Sequence, residues 1–185
     1  MVSRAALPVL VLLACAATPI IGQDKKPGAA EGNKSSRLDL FKQLAGEWVG
    51  TATPQLKDAK EVHVTYKVTS GGSAVVETLF PGTEHEMVTV YYLEGEQLAL
   101  THYCVVGNQP HMVAKPGASG PEGTTIVFEC HGLGTNMASE DDAHMHTATL
   151  EILGNDHIRT TWQMFEKQKQ THAATFDLTR DYTQS

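Results

Sequence analysis

Beyond its first 21 residues this chain has no apolar run of spanning length, and beyond Gly46 it has no helical period. Cysteine is scarce, with three residues in 185, and Cys15 lies inside the N-terminal apolar run. The remaining pair, Cys104 and Cys130, is too few for a disulfide framework. Basic residues are in deficit, 14 against 21 acidic, for a net charge of −7. That balance argues against nucleic acid and anionic membrane surfaces, both of which draw basic patches. There is no Gly-x-Ser-x-Gly elbow and no phosphate-cradling Walker loop. His85-Glu86 lacks the second histidine of a helical zinc-protease motif. These gaps leave a predominantly β, acidic domain without a ready-made catalytic signature.

The N-terminal segment is built for export. Met1–Arg4 is a short basic lead, and Ala5–Ile21 is apolar, interrupted by Pro8 and Thr18-Pro19, which reads as a signal peptide over residues 1–22. Two cleavage modes are open. Cutting near Gly22 releases a soluble protein, whereas Leu12-Leu13-Ala14-Cys15 resembles a lipoprotein box that would anchor the chain through Cys15. The expected location is periplasmic or extracellular, an oxidising setting that permits disulfides. Residues 23–36, including DKKPGAAEGNKSS, are too polar and too rich in Gly, Pro and Lys to bury anything and read as a flexible linker. Residues 37–185 form the domain.

That domain opens on a helix over Arg37–Ala45, with Leu38, Phe41 and Leu44 on one face, Ser36 as N-cap and Gly46 as terminator. Ten strands follow: 47–53, 61–69, 74–80, 86–93, 97–106, 111–115, 124–131, 144–153, 157–166 and 171–181. Turn residues such as Ser70-Gly71-Gly72-Ser73, Gly95-Glu96 and Gly154-Asn155-Asp156 separate them. Even spacing and the need to remove exposed edges predict an antiparallel up-and-down β-barrel. The Gly132–Ala143 connection is longer than the others and acidic at Glu140-Asp141-Asp142. It suits a solvated loop, a lid, or a weak calcium contact.

A short helix followed by Gly46-Glu47-Trp48 resembles the Gly-x-Trp opening of lipocalin-like (calycin) barrels, and Arg180 stands where that group's final-strand arginine crosses the tryptophan. The string Glu86-Met87-Val88, Leu100-Thr101-His102-Tyr103-Cys104, Gly107-Asn108-Gln109-Pro110 and His144-Met145-His146 resembles a bacterial exported family of unknown function assigned to such barrels. The likeness covers most of Leu38–Tyr182. It implies a lipocalin-like fold and no established activity.

Side chains alternate across a strand, so parity with apolar rows predicts the interior. Leu98, Leu100, His102, Cys104 and Val106 share one side; so do Ile126, Phe128 and Cys130, and Ile158, Thr160, Trp162 and Met164. His144 and His146 share the side of Leu150 and Ile152. On the fourth strand Glu86, Val88, Val90 and Tyr92 form the expected interior row, and Glu77 is ambiguous. Buried ionisable groups need partners, so several together point to a site. As ligand-binding residues the sequence nominates His102, His144, His146, Glu86, Tyr92, Cys104 and Trp162, with Phe128 and Met112 as further walls.

Four uses remain open. The first is a small-molecule pocket with the histidines as polar anchors. The second is a metal centre, zinc ligated by His102, His144 and His146, with Glu86 as general base in a hydrolase-like enzyme. The third is a haem barrel with one axial histidine. The fourth is a structural histidine network. Neither zinc nor haem is required by the sequence, and the reading leans away from an enzyme. The cupin metal pattern is excluded because Glu151 has the wrong parity to join His144 and His146. A Cys104–Cys130 disulfide is disfavoured by the strand expected between them.

Overall fold

The computed structural model describes residues 37–54, 61–116, 119–120 and 123–183. The expected leader, linker and Ser36 cap lie outside the described residues. The helix α1 spans Arg37–Lys42 and continues as turns through Ala45, burying Leu38, Phe41 and Leu44 as the three-residue spacing requires. Eleven strands follow: β1 (Gly46–Thr53), β2 (Val62–Thr69), β3 (Ala74–Leu79), β4 (Met87–Glu94), β5 (Gln97–Tyr103) and β6 (His111–Ala114), then β7 (Ser119–Gly120), β8 (Gly123–Cys130), β9 (His144–Ile152), β10 (His157–Glu166) and β11 (Lys169–Asp181). Each of the ten expected strands is present; the two-residue β7 is an addition, a short hairpin arm on β8.

Every ladder is antiparallel and links chain neighbours, except that β1 pairs with β11 and β6 pairs with β8. Those two pairings close a ten-strand up-and-down barrel, leaving no long unpaired edge. At one mouth α1 inserts Phe41 against Tyr91 and Phe128, with ring centroids 4.2 and 6.0 Å apart. The turns at the other mouth include β5–β6, β10–β11 and the long 132–143 connection.

The Gly-x-Trp opening has a mechanical purpose. Gly46 takes φ +131°, a conformation that L side chains rarely adopt, and a Cβ there would stand 3.0 Å from Arg180 Nη1. Trp48 is fully buried and donates Nε1–H to Leu44 O at 2.8 Å. Arg180 lies over its ring at 4.4 Å and donates to Ala45 O and Gln43 O at 2.8 and 2.9 Å. The tryptophan and arginine together satisfy carbonyls that the end of α1 would otherwise leave unpaired.

Inside the barrel, Leu98, Leu100, Met112, Ile126, Phe128, Leu150, Ile158 and Leu178 form the apolar mass. A polar layer crosses it. Tyr66, Glu77, Thr89 and His102 stand directly opposite one another across β2, β3, β4 and β5. Glu77, left ambiguous by the sequence, points inward and is 2% exposed.

The β4 row was expected on the wrong face. Met87, Thr89 and Tyr91 face inward; Val88, Val90 and Tyr92 face outward. The β4–β5 turn is two residues long, pairing Glu94 with Gln97, so the register sets Thr89 against His102 and Tyr91 against Leu100. Once the β5 row is inward, the odd-numbered β4 residues must be inward too. Hydrophobicity alone favoured the valines, but Thr89 is tolerated inside because it bonds His102.

Candidate functional site

The sequence-predicted residues divide into three groups. His102 is in the polar layer, 2% exposed, with Thr89 Oγ1 at 3.0 Å from Nδ1 and the Trp162 ring 4.6 Å away. Burial holds its pKa down at about 4, so the ring is neutral, and either tautomer leaves Nε2 without a partner. A small cavity bounded by Tyr91, Phe128, Leu150, Thr160 and Trp162 measures about 10 Å³, room for one water. The lumen at this level is filled.

The polar layer continues at Glu77, which accepts a short hydrogen bond from Tyr91 Oη. Burial raises its carboxyl to about 7, and the hydrogen bond only partly offsets that. Tyr66 Oη shares the field of the carboxylate without a hydrogen bond of ordinary geometry.

The second group sits at the barrel end near the 132–143 loop. His144 and His146 hydrogen-bond each other, Nε2 to Nδ1, at 3.0 Å, and Cys130 Sγ contacts Met145 O at 3.3 Å. One donor atom from each of Cys130, His144 and His146 lies within 4.8 Å of the others. They line a recess of about 130 Å³ whose other walls include Met137, Glu140, Phe165 and Gln168.

Two irregularities build this recess. The β9–β10 register shifts between Gln163 and Met164, so His146 has no cross-strand partner on β10. A second shift, in β10–β11 between Met164 and Phe165, accompanies the placement of Phe165 against His146, with centroids 4.5 Å apart.

The recess is electrostatically graded. Burial lowers the His146 pKa, and the neighbouring His144 adds to that. Burial raises the Cys130 thiol to about 12, with Glu140 and Glu129 adding to it. Both groups are therefore neutral near neutral pH, ready to serve as lone-pair donors once the thiol gives up its proton. His144 is anchored from behind, Nδ1 lying 2.7 Å from Asp142 O.

The long loop is structured. Asp142 accepts from Ala138 N at 2.6 Å and from Ser139 N at 3.3 Å, bonds that hold its carboxyl below the usual range. Asn108 Nδ2 donates to Ala143 O, and Lys167 N donates to Asp141 O, lacing the loop to the β5–β6 and β10–β11 turns. Asp141 and Asp142 are thus engaged as loop scaffold, while Glu140 faces the recess.

The third group was expected at the site and lies away from it. Glu86 is exposed in the β3–β4 turn, accepting from Gly82 N at 2.6 Å, and is not available as a base beside the histidines. Tyr92 is on the outer wall, 3.1 Å from Thr101 Oγ1 and 3.3 Å from His111 Nδ1. Cys104 is buried just past β5 in the turn closed by Asn108, a free thiol, and joins neither cluster. Trp162 and Phe128 are interior as expected, but against the filled lumen. His102, expected to complete a triad with His144 and His146, is not among the atoms grouped with them; Cys130 stands there instead.

The signal for that substitution is the β8–β9 register. β8 and β9 are consecutive, and their ladder runs from Thr124↔Ile152 to Glu129↔Thr147, so the next step brings Cys130 alongside His146. The Phe165 wall depends on the bulges and carries no comparable signal.

A larger hollow of about 280 Å³ lies at the α1 end, among Leu40, Gln43, Ile152, Asp156 and Arg180. Arg180 is already committed there to Gln43 O, Ala45 O and Asp156, which leaves few donors for a ligand. Among the described residues no helix is long and apolar enough to cross a membrane. No protein-family model matches the chain, and no curated protein matches it.

Proposed function

We propose that the protein is an exported, lipocalin-like β-barrel that binds one small ligand in the recess beside the 132–143 loop, with His144 and His146 as polar anchors. The basic lead and apolar run of residues 1–21 support export to a periplasmic or extracellular location. Resemblance to a bacterial exported family supports the same reading. The observation that carries it is convergence: two imidazoles and a thiol meet in an indentation walled by Phe165 and Met137. Because the lumen is packed, the ligand belongs at the barrel end and His102 is structural.

Native mass spectrometry of the protein as isolated tests this reading. A mass adduct retained under native conditions, lost on denaturation and absent from His144→Ala/His146→Ala, is the expected result. Equal native and denatured masses for the wild-type chain would refute it.

A further inference from the structure

We infer that the recess is a mononuclear binding site for a thiophilic divalent ion of the zinc type, ligated by Cys130 Sγ, His144 and His146. The inference rests on the binding reading above and names its ligand.

The histidine pair supplies the first argument. A carbonyl oxygen can only accept, so the 2.7 Å contact between His144 Nδ1 and Asp142 O fixes the proton on Nδ1. In the neutral ring His144 Nε2 is then a lone pair, and the proton in its 3.0 Å contact with His146 belongs to His146 Nδ1. An imidazole held through one N–H by a backbone carbonyl, with the other nitrogen bare, is the arrangement that metal-ligating histidines use. Two nitrogens on one tetrahedral zinc, each about 2.0–2.1 Å from it, stand roughly 3.3 Å apart. The existing separation is within a few tenths of an ångström of that, so the metal takes the place of the shared proton.

The third donor fits the same centre. A thiolate at about 2.3 Å from zinc lies roughly 3.6 Å from a nitrogen ligand, and the three donor atoms already fall within 4.8 Å of one another. Cys130 is a free thiol, held beside the histidines by its 3.3 Å contact with Met145 O, so its sulfur is available to a ligand. A thiolate with two imidazoles selects zinc-like ions over calcium or magnesium, which prefer oxygen ligands. Glu140 and Gln168 line the same recess as the three donors.

Binding balances simply. The metal displaces the thiol proton to solvent, and the His146 proton moves from Nδ1 to Nε2, so each site releases one proton.

Cobalt(II) titration of chelator-stripped protein tests the assignment, followed by competition with zinc. The wild-type chain should take one equivalent, giving tetrahedral ligand-field bands and a thiolate-to-cobalt charge-transfer band that zinc abolishes. Cys130→Ser should lose the charge-transfer band and weaken binding by more than about 100-fold, and His144→Ala should weaken it comparably. His102→Gln should bind as wild type, separating this site from a His102-based triad. Far-UV circular dichroism of each variant checks that the barrel persists. No cobalt or zinc uptake by the wild type, or a charge-transfer band that survives in Cys130→Ser, overturns the metal site. If the protein takes up no metal yet carries an organic adduct as isolated, the metal inference falls and the binding reading stands; if it shows neither, both fall.

Discussion

Arg180 is the residue on which the N-terminal end of the barrel depends most. Its guanidinium faces the Trp48 ring, reaches two carbonyls at the end of α1, and meets Asp156 at 3.3 Å through Nε. A planar fork satisfies those demands together, and an ammonium on a flexible stem does not. Arg180→Lys keeps the charge but strands at least one carbonyl, at a cost of about 2 kcal/mol. For a domain of this size that is a fall in melting temperature of roughly 4–8 °C. Thermal unfolding followed by circular dichroism measures it, and a variant melting within a degree of wild type would remove the clasp from the stability argument. The neighbouring ladder is equally unforgiving: a Cβ on Gly50 would come within 1.9 Å of Asp177 O.

At the scale of elements, the β10–β11 hairpin breaks its own local rule. Glu166 pairs with Lys169, so Lys167 and Gln168 form a two-residue turn, with φ of 51° and 62°. Such turns favour Asn-Gly because L side chains resist that conformation. Here the strain is held by the loop opposite, Lys167 N donating to Asp141 O and Gln168 Nε2 to Asp141 Oδ1. Lys167→Asn relieves one residue and keeps the backbone bond, so it should stabilise the domain by about 0.5–1 kcal/mol, read from urea midpoints. An unchanged or lower midpoint would mean that the turn is not strained.

The same hairpin shows what was legible in the chain. Ten strands, the opening helix and barrel closure follow from turn residues and alternation, because those depend on local chemistry. The last expected strand starts at Thr171, whereas β11 begins at Lys169. Of the candidate site, His144 and His146 were legible from parity. Parity puts Cys130 inside but not with them, because its place beside His146 depends on the β8–β9 register, which the long 132–143 connection does not fix. Glu86 and Tyr92 lie outside the expected interior row because the valines of β4 face outward and the row containing the bonded Thr89 faces inward. The bulges that turn His146 and Phe165 toward each other arise from tertiary pairing and leave no mark in a hydrophobic pattern.

For the molecule as a whole, the polar layer predicts how stability varies with pH. Glu77 titrates near 7 in the folded state instead of 4.5, so the native state holds a proton that the unfolded chain has released. Its contribution therefore falls as pH rises from about 4.5 to about 7, by a total on the order of 3 kcal/mol. His102 titrates near 4 instead of 6.5, so the unfolded chain takes up a proton that the native state refuses. Its contribution is complete above about 6.5 and drains away as pH falls toward about 4, by a similar amount. Between roughly pH 4.5 and 6.5 the two slopes are opposed and nearly cancel. Single substitutions should uncover each one. Glu77→Gln, which can still accept the Tyr91 hydroxyl, should make stability rise with pH across that window relative to wild type. His102→Gln, which retains a partner for Thr89, should make it fall. The double variant should restore the wild-type profile, offset by a constant. Urea denaturation at several pH values gives all four curves, and single variants running parallel to wild type would show that neither buried group titrates as its surroundings require.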